Sequence, residues 1–216
     1  MTKFVLCRPL GGLNDCLNQI ALCAKYALRE GRILVIDTQF SGLGEQFDEV
    51  FQLVDFPLDF RVYGPALLEE LQTCSAFPAP VGGRLDSYRV ISKPGVLGVF
   101  EELSGTRLSF NFRKSYSEDL VVHHNGGGGE HSRYLLPYLT LAAEVRRRVV
   151  AELDELPLNY FAIHVRNTDY QTPFASLFHR VQKEVIASGM PVLVASDDRA
   201  VISEAKKYFG GRLIEW

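Results

Sequence analysis

Residues 3–37, KFVLCRPLGGLNDCLNQIALCAKYALREGRILVID, decide the fold of this chain. The apolar run from Lys3 to Cys7 predicts a buried strand, and a glycine pair then turns the chain. Leu13 to Glu30 carries apolar side chains at helical spacing and is followed directly by a glycine, which predicts a helix and its end. Arg32 to Asp37 predicts a second apolar strand. Such a strand–helix–strand unit implies two parallel strands in a sheet covered on both faces.

The second half of the chain repeats this order, and the middle is less regular. The pattern predicts further strands and helices, which are, in chain order, a helix at 46–54, a strand at 60–63, a helix at 65–72, a strand at 119–123, a long helix at 132–155, a strand at 161–165, a helix at 173–188, a strand at 191–195, a helix from 196–198 to 209 and a strand at 212–216. Alternating strands and helices indicate an α/β fold with parallel sheets.

Composition excludes several classes of protein. The chain has 216 residues, 47% of them hydrophobic, and a formal net charge of −3, which is typical of a globular protein and not of a disordered one or a general polyanion binder. No apolar stretch is long enough for a membrane span, and the N-terminus does not resemble a signal peptide. Four cysteines without a CxxC pair predict reduced thiols. We therefore expect a cytoplasmic protein without an integral membrane segment and without nucleic-acid partners.

Polar residues follow three of the predicted strands at the sheet edge where ligands bind in parallel α/β folds. After the first strand, Gly11 and Gly12 allow a ligand to approach the backbone, with Asn14 and Asp15 on the first helical turn. The alternative is a tight turn in which Asp15 only complements the helix dipole. After the strand at 191–195, a carboxylate of the Ser196-Asp197-Asp198 segment suits ribose hydroxyls or a guanine edge, and the alternative is N-capping of the next helix by Ser196 or Asp197.

The segment His164-Val165-Arg166-Asn167-Thr168-Asp169 is the stronger candidate for an anion site. His164 and Arg166 lie on the same side of a strand end, two residues apart. The Arg166 guanidinium suits bidentate binding of phosphate. The alternative is a surface pair of Arg166 with Asp169, with His164 in the core.

Four glycines, Gly126 to Gly129, predict a mobile loop after the strand at 119–123. His123 and His124 precede these glycines and are candidates for an acceptor-binding loop. A metal site formed with Glu130 and His131 is disfavoured because the spacing is irregular and glycines preorganise ligands poorly. We expect no bound metal and no cofactor other than a donor substrate.

Three blocks resemble the nodulation-type α1,6-fucosyltransferases and the core N-glycan fucosyltransferases of the same superfamily. They are the opening strand–helix–strand at 4–37, the stretch AIHVRNTDYQT at 162–172 with Phe178-His179, which is similar to an HxRxTD motif, and VLVASDDRAVISEAKKYF at 192–209. The resemblance implies a GT-B architecture of two Rossmann-like halves, at 1–135 and 136–216. It also implies a GDP-sugar donor, GDP-fucose in the nearest relatives, used without an essential metal.

The resemblance also implies roles for single residues. Arg166 would hold the β-phosphate and stabilise the leaving diphosphate in an inverting displacement, so it is a candidate catalytic residue. His164 and either Asp197 or Asp198 would recognise guanine. The remaining expected donor contacts are Gly11, Gly12, Asn14, Thr168, Asp169 and Ser196. Asp15 is a candidate general base, with Glu101, Glu102, His123 and His124 as alternatives.

Departures from the family pattern keep a second function open. Asn167 and Tyr170 stand where the core-type enzymes have Arg and Lys, and the last predicted strand is not followed by the family's Ser-rich donor block. The C-terminal half is therefore expected to be short and incomplete. The alternative to a glycosyltransferase is a non-catalytic nucleotide- or glycan-binding domain with the same fold. The sequence identifies neither the acceptor glycan, the sugar transferred nor the oligomeric state.

Overall fold

The computed structural model describes residues 2–167 and 171–214. The chain divides into two compact units, Met1–Arg147 and Arg148–Trp216. The helices are α1 Leu13–Glu30, α2 Phe47–Val50, α3 Pro65–Gln72, α4 Ala143–Asp154, α5 Phe174–Ser188 and α6 Arg199–Phe209. The strands are β1 Phe4–Leu10, β2 Ile33–Ile36, β3 Phe51–Leu53, β4 Phe60–Val62, β5 Ala76–Phe77, β6 Val90–Lys93, β7 Val96–Glu101, β8 Leu120–Gly126, β9 Leu139–Leu141, β10 Phe161–Val165, β11 Val192–Ser196 and β12 Leu213–Ile214.

The first unit is built on a parallel sheet with strand order β4-β2-β1-β8-β5. Because side chains alternate between the two faces, Val5 and Cys7 pack under α1, whereas Phe4 and Leu6 pack against the side that includes α3. Helix α1 ends where Gly31 adopts φ 62°, as the sequence predicts. The α/β fold with parallel sheets is therefore confirmed.

The second unit contains a smaller parallel sheet with strand order β10-β11-β12. Helices α5 and α6 bury one apolar stripe each against it, with Phe178 and Phe209 in contact at 5.4 Å between ring centroids. The predicted β10, α5, β11 and α6 are confirmed, although Pro173 takes the N-cap position of α5 instead of its first helical position.

Two predicted helices are correct only in part, because α2 and α4 are shorter than the predicted ranges. The stretch at 132–155 is not one long helix, because a 3₁₀ turn at Glu130–Tyr134 and strand β9 come before α4. Strand β9 pairs antiparallel with β3, and β3 itself occupies most of the second half of the helix predicted at 46–54. In both places a long-range strand pairing replaces a locally plausible helix, and Pro137, which has no N–H to donate, lies between the 3₁₀ turn and β9.

The four cysteine thiols are free, as predicted, and three of them, Cys7, Cys16 and Cys23, are buried. Within the described ranges 2–167 and 171–214, no helix combines the length and apolar character needed to cross a membrane.

Candidate functional site

The glycine turn after β1 is held by a close backbone contact. Gly11 adopts φ 96°, and its carbonyl accepts a hydrogen bond of 2.7 Å from the Gly42 amide. A Cβ on Gly42 would lie 2.5 Å from that carbonyl oxygen, so only glycine fits there. The Asp15 carboxylate accepts a 3.1 Å hydrogen bond from the Gly12 amide, which caps α1. The start of α1 is therefore fixed from two sides.

The glycine-rich segment forms a loop at 127–129, as predicted, and this loop is hydrogen-bonded to α1. Strand β8 runs to Gly126, and the next carbonyl, that of Gly127, accepts hydrogen bonds from the side-chain amides of Asn18 and Gln19. A Cβ on Gly129 would approach the Asn18 Oδ1 atom to 2.9 Å. The glycines thus permit close approach to the helix, and Asn14 adds a further anchor because it accepts a hydrogen bond of 2.9 Å from the Ser132 hydroxyl.

His123 and His124 lie within β8 and not in a loop, and successive positions of a strand face opposite sides. His123 is buried on the α1 side, where its ring nitrogens lie 2.8 Å from Ser109 Oγ and 2.7 Å from Gln19 Oε1. Burial, reinforced by the positive charge of Arg107, lowers the His123 pKa to about 3. His123 is therefore neutral at physiological pH.

A polar cavity of about 610 Å³ lies beside His123. Its walls combine amide, hydroxyl and guanidinium groups with two phenylalanine rings; the lining residues include Asn18, Gln19, Arg107, Ser109, Phe110, Asn111, Phe112 and Asn125. A neutral histidine, several amides and the Arg107 guanidinium offer hydrogen bonds, which suits a hydroxyl-rich ligand.

His124 faces the opposite side, and its Nδ1 atom lies 2.8 Å from the Tyr88 hydroxyl. Burial, followed by the charge of Arg8, lowers the His124 pKa to about 3.

Arg8 is 3% exposed and donates from Nε to the buried Asp37 carboxylate at 2.8 Å. The predicted donor and catalytic residues do not include this buried ion pair. Its only sequence signal was an arginine and an aspartate placed directly after two apolar strands.

In the second unit, the ends of β10 and β11 are tied together by Asn167. The Asn167 backbone amide donates to the Asp197 carboxylate at 2.8 Å, and its side-chain amide donates to Asp198 at 2.7 Å. Asp198 also caps α6 by accepting a 2.8 Å hydrogen bond from the Ala200 amide. The hydrogen bond from Asn167 is the main cause that lowers the Asp198 pKa. The helix is therefore capped by Asp198, and the alternative that Ser196 or Asp197 caps it is wrong.

His164 and Arg166 are both exposed at this edge. The Arg166 carbonyl accepts a 2.6 Å hydrogen bond from the Thr172 hydroxyl, and Ser196 accepts a 3.1 Å hydrogen bond from the Asp198 amide. The structure thus brings His164, Arg166, Ser196, Asp197 and Asp198 to one end of two paired strands. The other two predicted donor contacts there, Thr168 and Asp169, lie outside the described residues.

No cluster of three or more His, Cys, Asp or Glu side chains suited to holding a metal ion occurs within residues 2–167 and 171–214.

Comparison with solved structures relates the fold to the α-1,6-fucosyltransferase NodZ. The crystal structure of NodZ from Bradyrhizobium matches with a TM-score of 0.60 and 20% identity, over 99% of this chain and 78% of that one. NodZ soaked with GDP-fucose matches with a TM-score of 0.60 at 20% identity, over 99% and 77% of the two chains. NodZ co-crystallized with GDP matches with a TM-score of 0.59 at 20% identity, over 99% and 78%. No protein-family model and no curated protein matches the sequence. The chain therefore has the GT-B-like fold of NodZ.

Proposed function

We propose that this protein is a fucosyltransferase-like glycosyltransferase that takes its sugar from a GDP-sugar. The observation that carries the proposal is the group of polar side chains at the carboxyl ends of β10 and β11, where parallel α/β sheets bind ligands. The solved structures with this fold include NodZ soaked with GDP-fucose and NodZ co-crystallized with GDP.

In this proposal Arg166 stabilises the leaving group. Its side chain is exposed at the strand end, and its backbone is fixed by the hydrogen bond from Thr172. An acceptor hydroxyl attacks the anomeric carbon, the bond from that carbon to the diphosphate breaks, and the guanidinium stabilises the charge that develops on the departing GDP. The hydroxyl proton passes to a general base, for which we propose Asp15, a carboxylate on the first turn of α1.

In this proposal His164 and Asp197 bind the guanine base. An aspartate oxygen accepts from the N–H edge of guanine, which uracil and cytosine do not present in the same form. Asp198 is the N-cap residue of α6 and positions the segment through hydrogen bonds from Asn167 and Ala200. Asp197 also accepts a hydrogen bond, from the Asn167 backbone amide, and we assign it to guanine because it is not the cap residue.

Thermal unfolding with GDP, UDP, CDP and ADP tests the donor. A nucleotide present at 100 times its Kd stabilises the folded protein by about 2.7 kcal/mol, which raises Tm by several degrees. We expect a GDP-selective rise that EDTA does not alter, and an equal response to all four nucleotides contradicts guanine recognition.

Release of GDP from GDP-fucose in the presence of glycan acceptors tests the reaction. We expect Arg166→Ala to lower transfer more than tenfold with little change in Tm, because the side chain is exposed. Arg212→Ala, a change of another arginine of this unit, is the matched control and leaves transfer unchanged. GDP binding without acceptor-dependent release from any glycan identifies instead the non-catalytic binding domain.

A further inference from the structure

Four polar side chains form one row across the sheet of the first unit. They are Tyr63, Asp37, Arg8 and His124. Arg8 and His124 are paired directly between β1 and β8. Asp37 directly follows Ile36, which pairs with Cys7, and Tyr63 directly follows Val62, which pairs with Ile36. The row is continuous in hydrogen bonding, because the Tyr63 amide donates to the Ile36 carbonyl at 2.8 Å and the Asp37 amide donates to the Cys7 carbonyl at 2.9 Å. It runs along the carboxyl edge of β4, β2, β1 and β8, on the face opposite α1.

A cavity of about 480 Å³ opens above this row, and we call it the Arg8 cavity. Its walls come from five separate stretches of the chain; the lining residues are Arg8, Gln39, Phe40, Gln46, Tyr63, Gly64, Pro65, Leu68, Leu85 and Asp86. The volume lies within the range of small-molecule sites, and the position at strand carboxyl ends is where such sites occur.

The two buried charges of the Arg8 cavity balance each other. The Arg8 guanidinium is neutralised by Asp37 at 2.8 Å and also donates to the Leu85 carbonyl. Its carbon Cζ lies 4.8 Å from the centre of the Tyr63 ring and 5.3 Å from that of Tyr88. Asp86, which is exposed, adds a negative charge to the lining. An anionic ligand therefore finds no uncompensated cation here, and a cationic ligand meets a buried arginine.

Two buried polar atoms of the lining have no hydrogen-bond partner within residues 2–167 and 171–214. They are the Tyr63 hydroxyl and the Gln46 Oε1 atom. A buried polar group without a partner destabilises the folded state, and native structures contain few of them. A hydroxyl and an amide oxygen together suit a ligand that both donates and accepts hydrogen bonds, which a purely apolar ligand does not do.

The remaining surface of the cavity is apolar and partly aromatic. Phe40 is 60% exposed although it is a large apolar side chain, and it lies with Pro65 and Leu68 in the lining. The face of an aromatic ring carries negative charge density and attracts weakly positive C–H groups. An exposed phenylalanine next to unpartnered polar atoms therefore suits a ligand with one C–H face and a hydroxylated edge.

We propose that the Arg8 cavity binds a neutral pyranose ring, which stacks on Phe40 and exchanges hydrogen bonds with Tyr63 and Gln46. The identification of this sugar as part of the acceptor glycan rests on the proposed function. The site lies in the first unit and is built from residues other than those assigned to the donor.

Two-dimensional ¹H–¹⁵N spectra test this site with defined probes. The probes are methyl glucoside, methyl galactoside, methyl mannoside and methyl N-acetylglucosaminide, with inorganic phosphate and glucuronate as anions. We expect at least one neutral glycoside to shift the amide signals of Phe40, Gly64 and Leu85, and the anions to leave them unchanged. Stronger shifts from phosphate or glucuronate, or no shift from any neutral glycoside, overturn the proposal.

Variants separate ligand binding from stability. Tyr63→Phe and Gln46→Met remove the unpartnered atoms, so we expect Tm to stay equal or rise while the Kd for the glycoside increases about fivefold. Phe40→Ala increases that Kd by a similar factor and leaves Tm nearly unchanged. Tyr26→Phe is the matched control, because the Tyr26 hydroxyl is also buried without a partner in the described chain but belongs to α1, in the core on the opposite face of the sheet. It leaves the Kd unchanged. Equal affinities in Tyr63→Phe and Tyr26→Phe refute the assignment.

GDP added to the same samples distinguishes the two proposals. If GDP binds and no glycoside reaches the Arg8 cavity, only the pyranose site is wrong. If a glycoside binds and GDP does not, the cavity is a glycan-binding site and the proposed use of a GDP-sugar is wrong.

Discussion

Loss of the buried Arg8–Asp37 ion pair is expected to be among the most destabilising single changes in this protein. Arg8 is 3% exposed, Asp37 is 1% exposed, and Nε and Oδ2 are 2.8 Å apart. At that distance and an effective dielectric constant of about 20, the attraction is about 6 kcal/mol, and much of it offsets the cost of removing both charges from water. Arg8→Met leaves the aspartate buried and unpaired, for which the expected loss is about 3–5 kcal/mol.

The assay is urea unfolding followed by far-UV circular dichroism, with Arg8→Met, Asp37→Leu and the double variant compared in one cycle. We expect the double variant to recover most of the lost free energy, since two apolar side chains leave no buried charge. Arg61→Met is the surface control, because Arg61 and Glu70 are 46% and 47% exposed at 2.9 Å and such pairs contribute less than about 1 kcal/mol. A loss below about 1 kcal/mol for Arg8→Met, or a double variant less stable than Arg8→Met, refutes the reasoning.

Three further outcomes follow from the structure. Because the folded-state pKa of His123 is lowered to about 3, its contribution to stability is complete above about pH 6.5 and is lost as the pH falls towards 3. Urea unfolding at several pH values should therefore show that the free energy of unfolding falls less steeply with decreasing pH in His123→Gln than in the parent protein. An equally steep fall in both proteins contradicts this. Asp15→Asn keeps an acceptor for the Gly12 amide, so Tm should change little while transfer falls more than tenfold if Asp15 is the base; full transfer leaves it only the capping role. Gly42→Ala places a Cβ 2.5 Å from the Gly11 carbonyl and should cost about 1–3 kcal/mol in thermal unfolding, whereas Gly211→Ala meets open space and should cost little; equal effects rule out the close contact as the cause.

The sequence predicted the elements whose signals are local. The β1–α1–β2 unit follows from an apolar run, a glycine turn, a helical apolar stripe and a C-terminal glycine, all within residues 3–37. The strands and helices of the second unit follow from the same kinds of signal. The three blocks that resemble the nodulation-type fucosyltransferases predicted the fold that the NodZ structures share with this chain. The roles of the residues within those blocks stay predictions.

Local patterns misled where a strand finds its partner far along the chain. The stretches at 46–54 and 132–155 have apolar residues at spacings that fit helices, yet β3 and β9 pair with each other across more than eighty residues of sequence. The glycine run after β8 suggested mobility, because glycine by itself has the largest backbone freedom. Its anchors, Asn18 and Gln19, lie more than a hundred residues earlier, and no local pattern shows them.

The sequence by itself determined the α/β class, the parallel strand pairs and the polar segments at the strand ends, because hydrophobic period and turn chemistry act within a few residues. Only the tertiary structure decided that β8 lies between β1 and β5, that His123 and His124 face opposite sides of the sheet, and that Arg8, Asp37 and Tyr63 meet in one row. The physical reason is that the strand order of the sheet decides which strand ends are neighbours, and neighbouring strand ends line a cavity. That order depends on pairings between distant segments, which leave little trace in the sequence of either segment alone.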